Sequence, residues 1–264
     1  IGQHDIMATR LEASALIDLQ GQPRSPAREL FRKMRQVRFA TLGMAVLTLM
    51  VFCALFADLI APFDPMKPNL DLTLEPPSLE HLLGVDDLGR DVLSRVIYGA
   101  RVSLLAGVVS VGIAFLYGVS LGVVSGYWGR AIDNLLMRLM DSLLSFPAIV
   151  LALAIAGVLG AGLTNALIAI AIVYTPIFAR LARGQTLAVR GLDFVEAARV
   201  LGARDLRIML RHVIPNIMAP LIIQTSLSVA FAILAEASLS FLGFGVKPPE
   251  PSWGSMAVSY THLT

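Results

Sequence analysis

From Ser142 to Ala179 the chain runs for 38 residues without one Asp, Glu, Lys, Arg or His. A bilayer core is crossed by about 20 apolar residues in a helix, so this run is too long for one crossing and right for two. The segment AGVLGAGLTN interrupts it, and Gly157, Gly160 and Gly162 favour a tight turn there. This predicts span three over 143–159 and span four over 163–180. Residues 39–57, 102–129 and 213–235 are also free of those five residue types and supply spans one, two and five. None of these runs alternates as barrel strands do. With 15% charged residues, 56% hydrophobic ones and a mean hydropathy of +0.73, against about 25% charged in soluble domains, the expectation is an all-α polytopic transmembrane helical bundle.

Orientation follows from where the basic residues lie. The segment before span one has seven (Arg10, Arg24, Arg28, Arg32, Lys33, Arg35, Arg38), and the loop after span four has seven more (Arg180, Arg183, Arg190, Arg199, Arg204, Arg207, Arg211). The loop after span two adds Arg130 and Arg138 on the same side. The opposite side has Lys67, Arg90, Arg95, Arg101 and Lys247. The positive-inside rule places the N-terminus in the cytoplasm. The expected organisation is a cytoplasmic segment 1–38 and a membrane domain 39–254, with an extracytoplasmic loop 62–101 and a cytoplasmic loop 181–212. The chain opens on Ile1, which is read as a fragment edge or a leader to Met7, and residues 255–264 are read as a truncated or non-native tail. The net charge of +2 gives no reason to expect nucleic acid, and one cysteine, Cys53, allows no disulfide framework.

The stretch GLDFVEAARVLGARDLRIMLRHVIPN, residues 191–216, carries seven charges between two apolar runs. Asp193 and Glu196 have capping-box spacing, and both acids suit a helix N-terminus. Ala197 and Ala198 permit close approach of another backbone. Gly202 suits the left-handed position that ends a helix. A second short helix from Asp205 shows an apolar stripe of Leu206, Met209, Leu210 and Val213, and Pro215 falls in the first turn of span five. Periodicity alone also fits an interfacial helix pair resting on anionic lipid.

EAARVLG at 196–202 and HVIPN at 212–216 resemble the EAA loop of binding-protein-dependent ABC importer permeases. His212 and Ile214 depart from the general pattern of that loop while Pro215 keeps its register; both departures resemble the peptide-importer branch. LGVDDLGRDVLSRVIYGARVSL at 83–104, DSLLSFPAIVLALAI at 141–155 and AEASLSFLGFGVKPPEPSWG at 235–254 resemble further blocks of the dipeptide, oligopeptide and nickel permeases. The resemblance covers roughly Leu30 to Gly254 and is closer to the second member of the usual permease pair. It implies a type I ABC importer permease fold with six spans, of which five are visible and the sixth is missing after PSWGSMAV. It also implies that Asp193, Glu196, Ala197, Ala198, Gly202, Ala203, Arg204, Asp205 and Pro215 form a loop that docks on an ATPase. The implied partners are a second homologous permease, two cytoplasmic ATPase subunits that use ATP and Mg, and an extracytoplasmic substrate-binding protein, in a bacterial inner membrane. Peptide, nickel chelate and glutathione importers share these blocks.

The residues agree that energy comes from elsewhere. The three lysines, Lys33, Lys67 and Lys247, follow no glycine, so there is no phosphate loop. The uncharged spans lack the groups that ion coupling would use. His-Glu-x-x-His and Gly-x-Ser-x-Gly are absent, which argues against an enzyme. The competing reading is a passive channel or secondary carrier whose loop only anchors lipid. Asp87 and Asp91 make a poor metal site without His; residues 80–96 are expected to form an outer amphipathic helix, with Leu88, Val92, Val96 and Ile97 towards the bilayer. Pro147 and Pro176 are gating-hinge candidates. Gly107, Gly112, Gly118, Gly122 and Gly126 suit close helix packing, including packing against a second permease. Asp58 and Glu236 are expected to be interface charges, and no substrate contact is assigned.

Overall fold

The structure, a computed structural model, describes residues 38–261. The chain packs as two units, Ile1–Leu49 and Met50–Thr264. Of the first, the described part is the start of helix α1, Arg38–Ile60. The expected cytoplasmic segment 1–38 otherwise lies outside the described residues, as do residues 262–264.

In the second unit, α2 (Val92–Trp128) and α5 (Leu163–Val189) form the central pair. At 1.5 Å per residue the 37 residues of α2 span about 55 Å, well beyond a bilayer core of about 30 Å. Gly118, Gly122 and Gly126 lie one turn apart along α2 and each meets α5: a Cβ on Gly122 would stand 2.3 Å from the carbonyl oxygen of Ala179. The glycine stripe is therefore used within the chain at these three positions, whereas Gly112 has nothing within 4 Å. Helix α8 (Ile214–Phe241) packs on α2 nearer its start, with Val229 and Ile233 against Gly107. Phe178, Ile170, Ile217, Leu221 and Leu239 are fully buried between these helices. In lipid such contacts rest on close van der Waals packing of small residues.

Among the described residues, four helices are long and apolar enough to cross a membrane: Thr41–Ile60, Val92–Trp128, Leu163–Val189 and Asp205–Phe241. Span three differs from expectation. It divides into α3 (Arg130–Leu144) and α4 (Ala148–Leu159), which meet at 93° and reach spanning length only together. Pro147 stands at the break as the residue before α4, and a proline pushes its predecessor out of helical geometry. Pro176, by contrast, lies buried within the uninterrupted α5.

Spans two and five are longer than their uncharged cores. Span two starts at Val92, so no separate amphipathic helix covers residues 80–96. That stretch is a turn-rich loop up to Asp91, which caps α2 through Oδ2 by accepting from the Ser94 amide at 2.8 Å. Asp91 is buried, with His81 Nδ1 2.9 Å from its other oxygen. Asp86 accepts from the Leu88 and Arg90 amides and pairs with the Arg90 guanidinium at 2.7 Å. Gly89 has φ +71° and its missing Cβ would lie 1.7 Å from the Asn69 carbonyl oxygen, so no other residue closes this turn. Asp87 is exposed and only 3.8 Å from Arg90. The two acids weighed for a metal thus have separate structural neighbours.

Asp58 is exposed at the end of α1 and held by Arg101 and Tyr98. Glu236 is not an interface charge: it is fully buried in α8, one oxygen accepting from Ser240 Oγ at 2.6 Å. The segment read as a tail, 255–264, starts inside α9 (Trp253–Thr261), which is anchored by Trp253 Nε1 donating to the Val96 carbonyl at 3.0 Å.

Candidate functional site

The charged loop sits at the Trp128 end of α2. It comprises α6 (Asp193–Val200), a turn, and α7 (Asp205–Ile208). Asp193 is the first helical residue and not the cap; Leu192 precedes the helix and no side chain caps it, so the expected capping box does not form. The physical reason lies in the backbone: the Val195 and Glu196 amides already bond to the Leu192 carbonyl, at 2.9 and 3.2 Å. Both acids still lie in the first turn, where the helix dipole favours them.

The helix ends as expected at Gly202, with φ +80°. The Gly202 amide bonds to the Arg199 carbonyl and the Ala203 amide to the Ala198 carbonyl, each at 3.0 Å. This is the Schellman arrangement that only a left-handed residue permits. Val195 is fully buried and fixes the helix to the core, while Ala198 and Ala203 pack partly against it. Glu196 and Ala197 are exposed. Beside them Val200 and Leu201 stand 86% and 87% exposed.

The second short helix is not a separate one. From Asp205 the chain runs through a π segment, Met209–Val213, straight into α8. Pro215 lacks the N–H that an α-helix would direct to Arg211. The ladder widens ahead of it, with the Ile214 amide bonding to Met209. The expected stripe divides accordingly: Met209 and Val213 are buried, but Leu206 and Leu210 are exposed, and Ile208, outside the stripe, is buried in their place. Arg204, Arg207 and Arg211 are exposed.

Residues outside the motif hold this loop. Tyr127, near the end of α2, donates its hydroxyl to Asp205 Oδ1 at 2.7 Å. Arg199 lies over the Tyr127 ring, 5.9 Å from its centroid, and the phenol oxygen holds that guanidinium above its ordinary pKa. Arg190 Nη1 donates to the carbonyls of Gly126 and Tyr127 at 2.7 and 3.2 Å. Sequence spacing could not bring Tyr127 to a loop 78 residues away. Its sole signal is a polar-tipped aromatic at the end of an apolar run. Among the described residues, no group of three or more His, Cys, Asp or Glu is placed to hold a metal ion.

A polytopic helical body with a short, partly exposed, glycine-turned helix at one end defines the membrane subunit of a transporter. The chain belongs to the family described as the binding-protein-dependent transport system inner membrane component, whose model matches residues 118–261. It is the membrane-spanning permease subunit of an ATP-driven importer, not an enzyme. Residues 25–77 match the N-terminal transmembrane domain of oligopeptide transport permease C. The chain is 44% identical over 88% of its length to the dipeptide transport system permease protein of Alkalihalophilus pseudofirmus, covering 76% of that protein. A di/tripeptide transport system permease of Pseudomonas aeruginosa is 46% identical over 89% of this chain and 80% of its own. A glutathione transport system permease of Pectobacterium atrosepticum is 39% identical over 88% and 78% respectively. The fold is similar to that of a chain of the inward-facing MetNI methionine ABC transporter, with TM-score 0.55 and 20% identity over 65% of this chain and 82% of that one.

Proposed function

We propose that this permease forms half of a translocation pathway for small peptides, and that residues 193–215 receive the work of a cytoplasmic ATPase. The relatives above are named for dipeptides, di/tripeptides and glutathione; nickel and related small solutes are the alternative cargo. The complex would contain a second permease, two ATPase subunits that use ATP and Mg, and an extracytoplasmic substrate-binding protein. The N-terminus and the 193–215 loop would face the cytoplasm, where the basic residues collect.

The observation that carries this reading is the exposure of Val200 and Leu201 beside Glu196 and Ala197, on a helix fixed from beneath by Val195. Two large apolar side chains left uncovered on a charged loop mark a surface built to be covered. Gly202 sets their direction. Of the two prolines, Pro147 stands at the 93° break and is the hinge we propose; Pro176 lies in continuous helix against the Gly118 contact.

The test uses the assembled importer in proteoliposomes. Gly202→Pro forbids the positive φ, and Glu196→Lys reverses the charge of the first turn. Both variants should insert and leave ATP hydrolysis running without dipeptide uptake. Normal uptake by both would refute the coupling site. Uptake against a gradient by the permease alone would instead favour a secondary carrier.

A further inference from the structure

The last turn of α2 is held from three directions. Asp205, the first residue of α7, accepts from the Tyr127 hydroxyl at 2.7 Å. Arg199, in the last turn of α6, covers the ring and approaches the hydroxyl at 3.5 Å. Arg190, which caps α5, holds the carbonyls of Gly126 and Tyr127. Tyr127 is only 8% exposed, so its hydroxyl has little water to replace a lost partner.

We propose that Tyr127 is the positioning residue that transmits movement of the 193–215 loop to α2; this rests on the coupling reading given above. The loop offers two levers. One is covalent, since α7 continues into α8 without a break. The other must cross to a different helix, and the Tyr127–Asp205 bond is the short polar contact that does so. Displacing Asp205 moves α8 directly and draws the end of α2 with it. Because α2 also packs on α5 through Gly118, Gly122 and Gly126, a pull at Tyr127 reaches the central pair. Glu196, Ala197, Val200 and Leu201 take no part in this bond and Tyr127 lies outside the docking loop, so a change at Tyr127 separates transmission from docking.

The separating variant is Tyr127→Phe, which keeps the ring, its burial and the Arg199 contact and removes one hydroxyl. In the assembled importer, with binding protein and a labelled dipeptide, this variant should bind its ATPase subunits with unchanged affinity and continue to hydrolyse ATP. Dipeptide delivered per ATP should fall about fivefold, the effect of one part-buried hydrogen bond. Asp205→Ala, at an exposed position, should fall similarly. The double variant should be no worse than either single one, because both changes remove the same bond. Delivery per ATP equal to the parent in Tyr127→Phe overturns the proposal, as does a double variant that multiplies the two losses. If Tyr127→Phe fails to assemble, Asp205→Ala decides by the same ratio. Gly202→Pro, run alongside, separates the two readings. Uncoupling there with normal transport in Tyr127→Phe removes only the transmission role; normal transport in both removes the coupling loop as well.

Discussion

Arg183 of α5 grips Asp133 of α3 with two parallel hydrogen bonds, Nε to Oδ1 at 2.5 Å and Nη2 to Oδ2 at 2.6 Å. Ser125, near the end of α2, donates to the same Oδ1. Three helices therefore meet on one carboxylate whose side chain is 15% exposed. Such a fork depends on the planar guanidinium, which lysine lacks. Arg183→Lys should cost about 1 kcal/mol and Asp133→Asn about 2 kcal/mol, because the latter leaves a half-buried cation unpaired. Combining Asp133→Asn with Arg183→Gln should recover part of that loss. Thermal unfolding in detergent reads all three, and unchanged melting of both single variants would show the fork to be inert.

The glycines of α2 should divide sharply by position. Gly122→Val drives a side chain into the Ala179 carbonyl, so α2 and α5 must separate, at a cost of about 3 kcal/mol or more. Gly112→Ala meets nothing within 4 Å and should stabilise the helix by about 0.5–1 kcal/mol. Comparing the yield and melting of the two purified proteins checks this. Equal behaviour would mean that the α2–α5 contact is looser than its geometry.

Glu236 offers a third test. Ser240 Oγ donates to one of its oxygens, and the other has no hydrogen-bond partner. Glu236→Gln keeps an acceptor for Ser240 and removes a group that is costly to bury charged. It should melt at or above the parent temperature. Glu236→Ala takes away the acceptor and opens a cavity, with an expected loss of about 2 kcal/mol. A Gln variant less stable than the Ala variant would point to an essential negative charge.

Four of the five expected spans and the helix end at Gly202 are legible because they depend on local signals. A run without charge must lie in lipid, and a glycine after EAARVL closes a helix wherever the chain is. The break at Pro147 was harder to place, since hydropathy counts apolar length and is blind to direction. Capping-box spacing points to Asp193 as the cap, whereas the helix begins on it, a difference of one position at an element boundary. Glu236 abuts an uncharged run, so its sequence position suggested an interface; its burial arises from packing that spacing does not encode. The clamps at Tyr127 and Asp133 join residues from different helices, 50 or more positions apart, and only the folded chain brings them together.

The unbroken passage from α7 through the π segment into α8 has a mechanical corollary. Thirty-seven residues from Asp205 to Phe241 form one continuous helical element about 55 Å long, with the π segment and Pro220 inside it. Asp205 and Phe241 are therefore the two ends of a single helical element, with no loop between them.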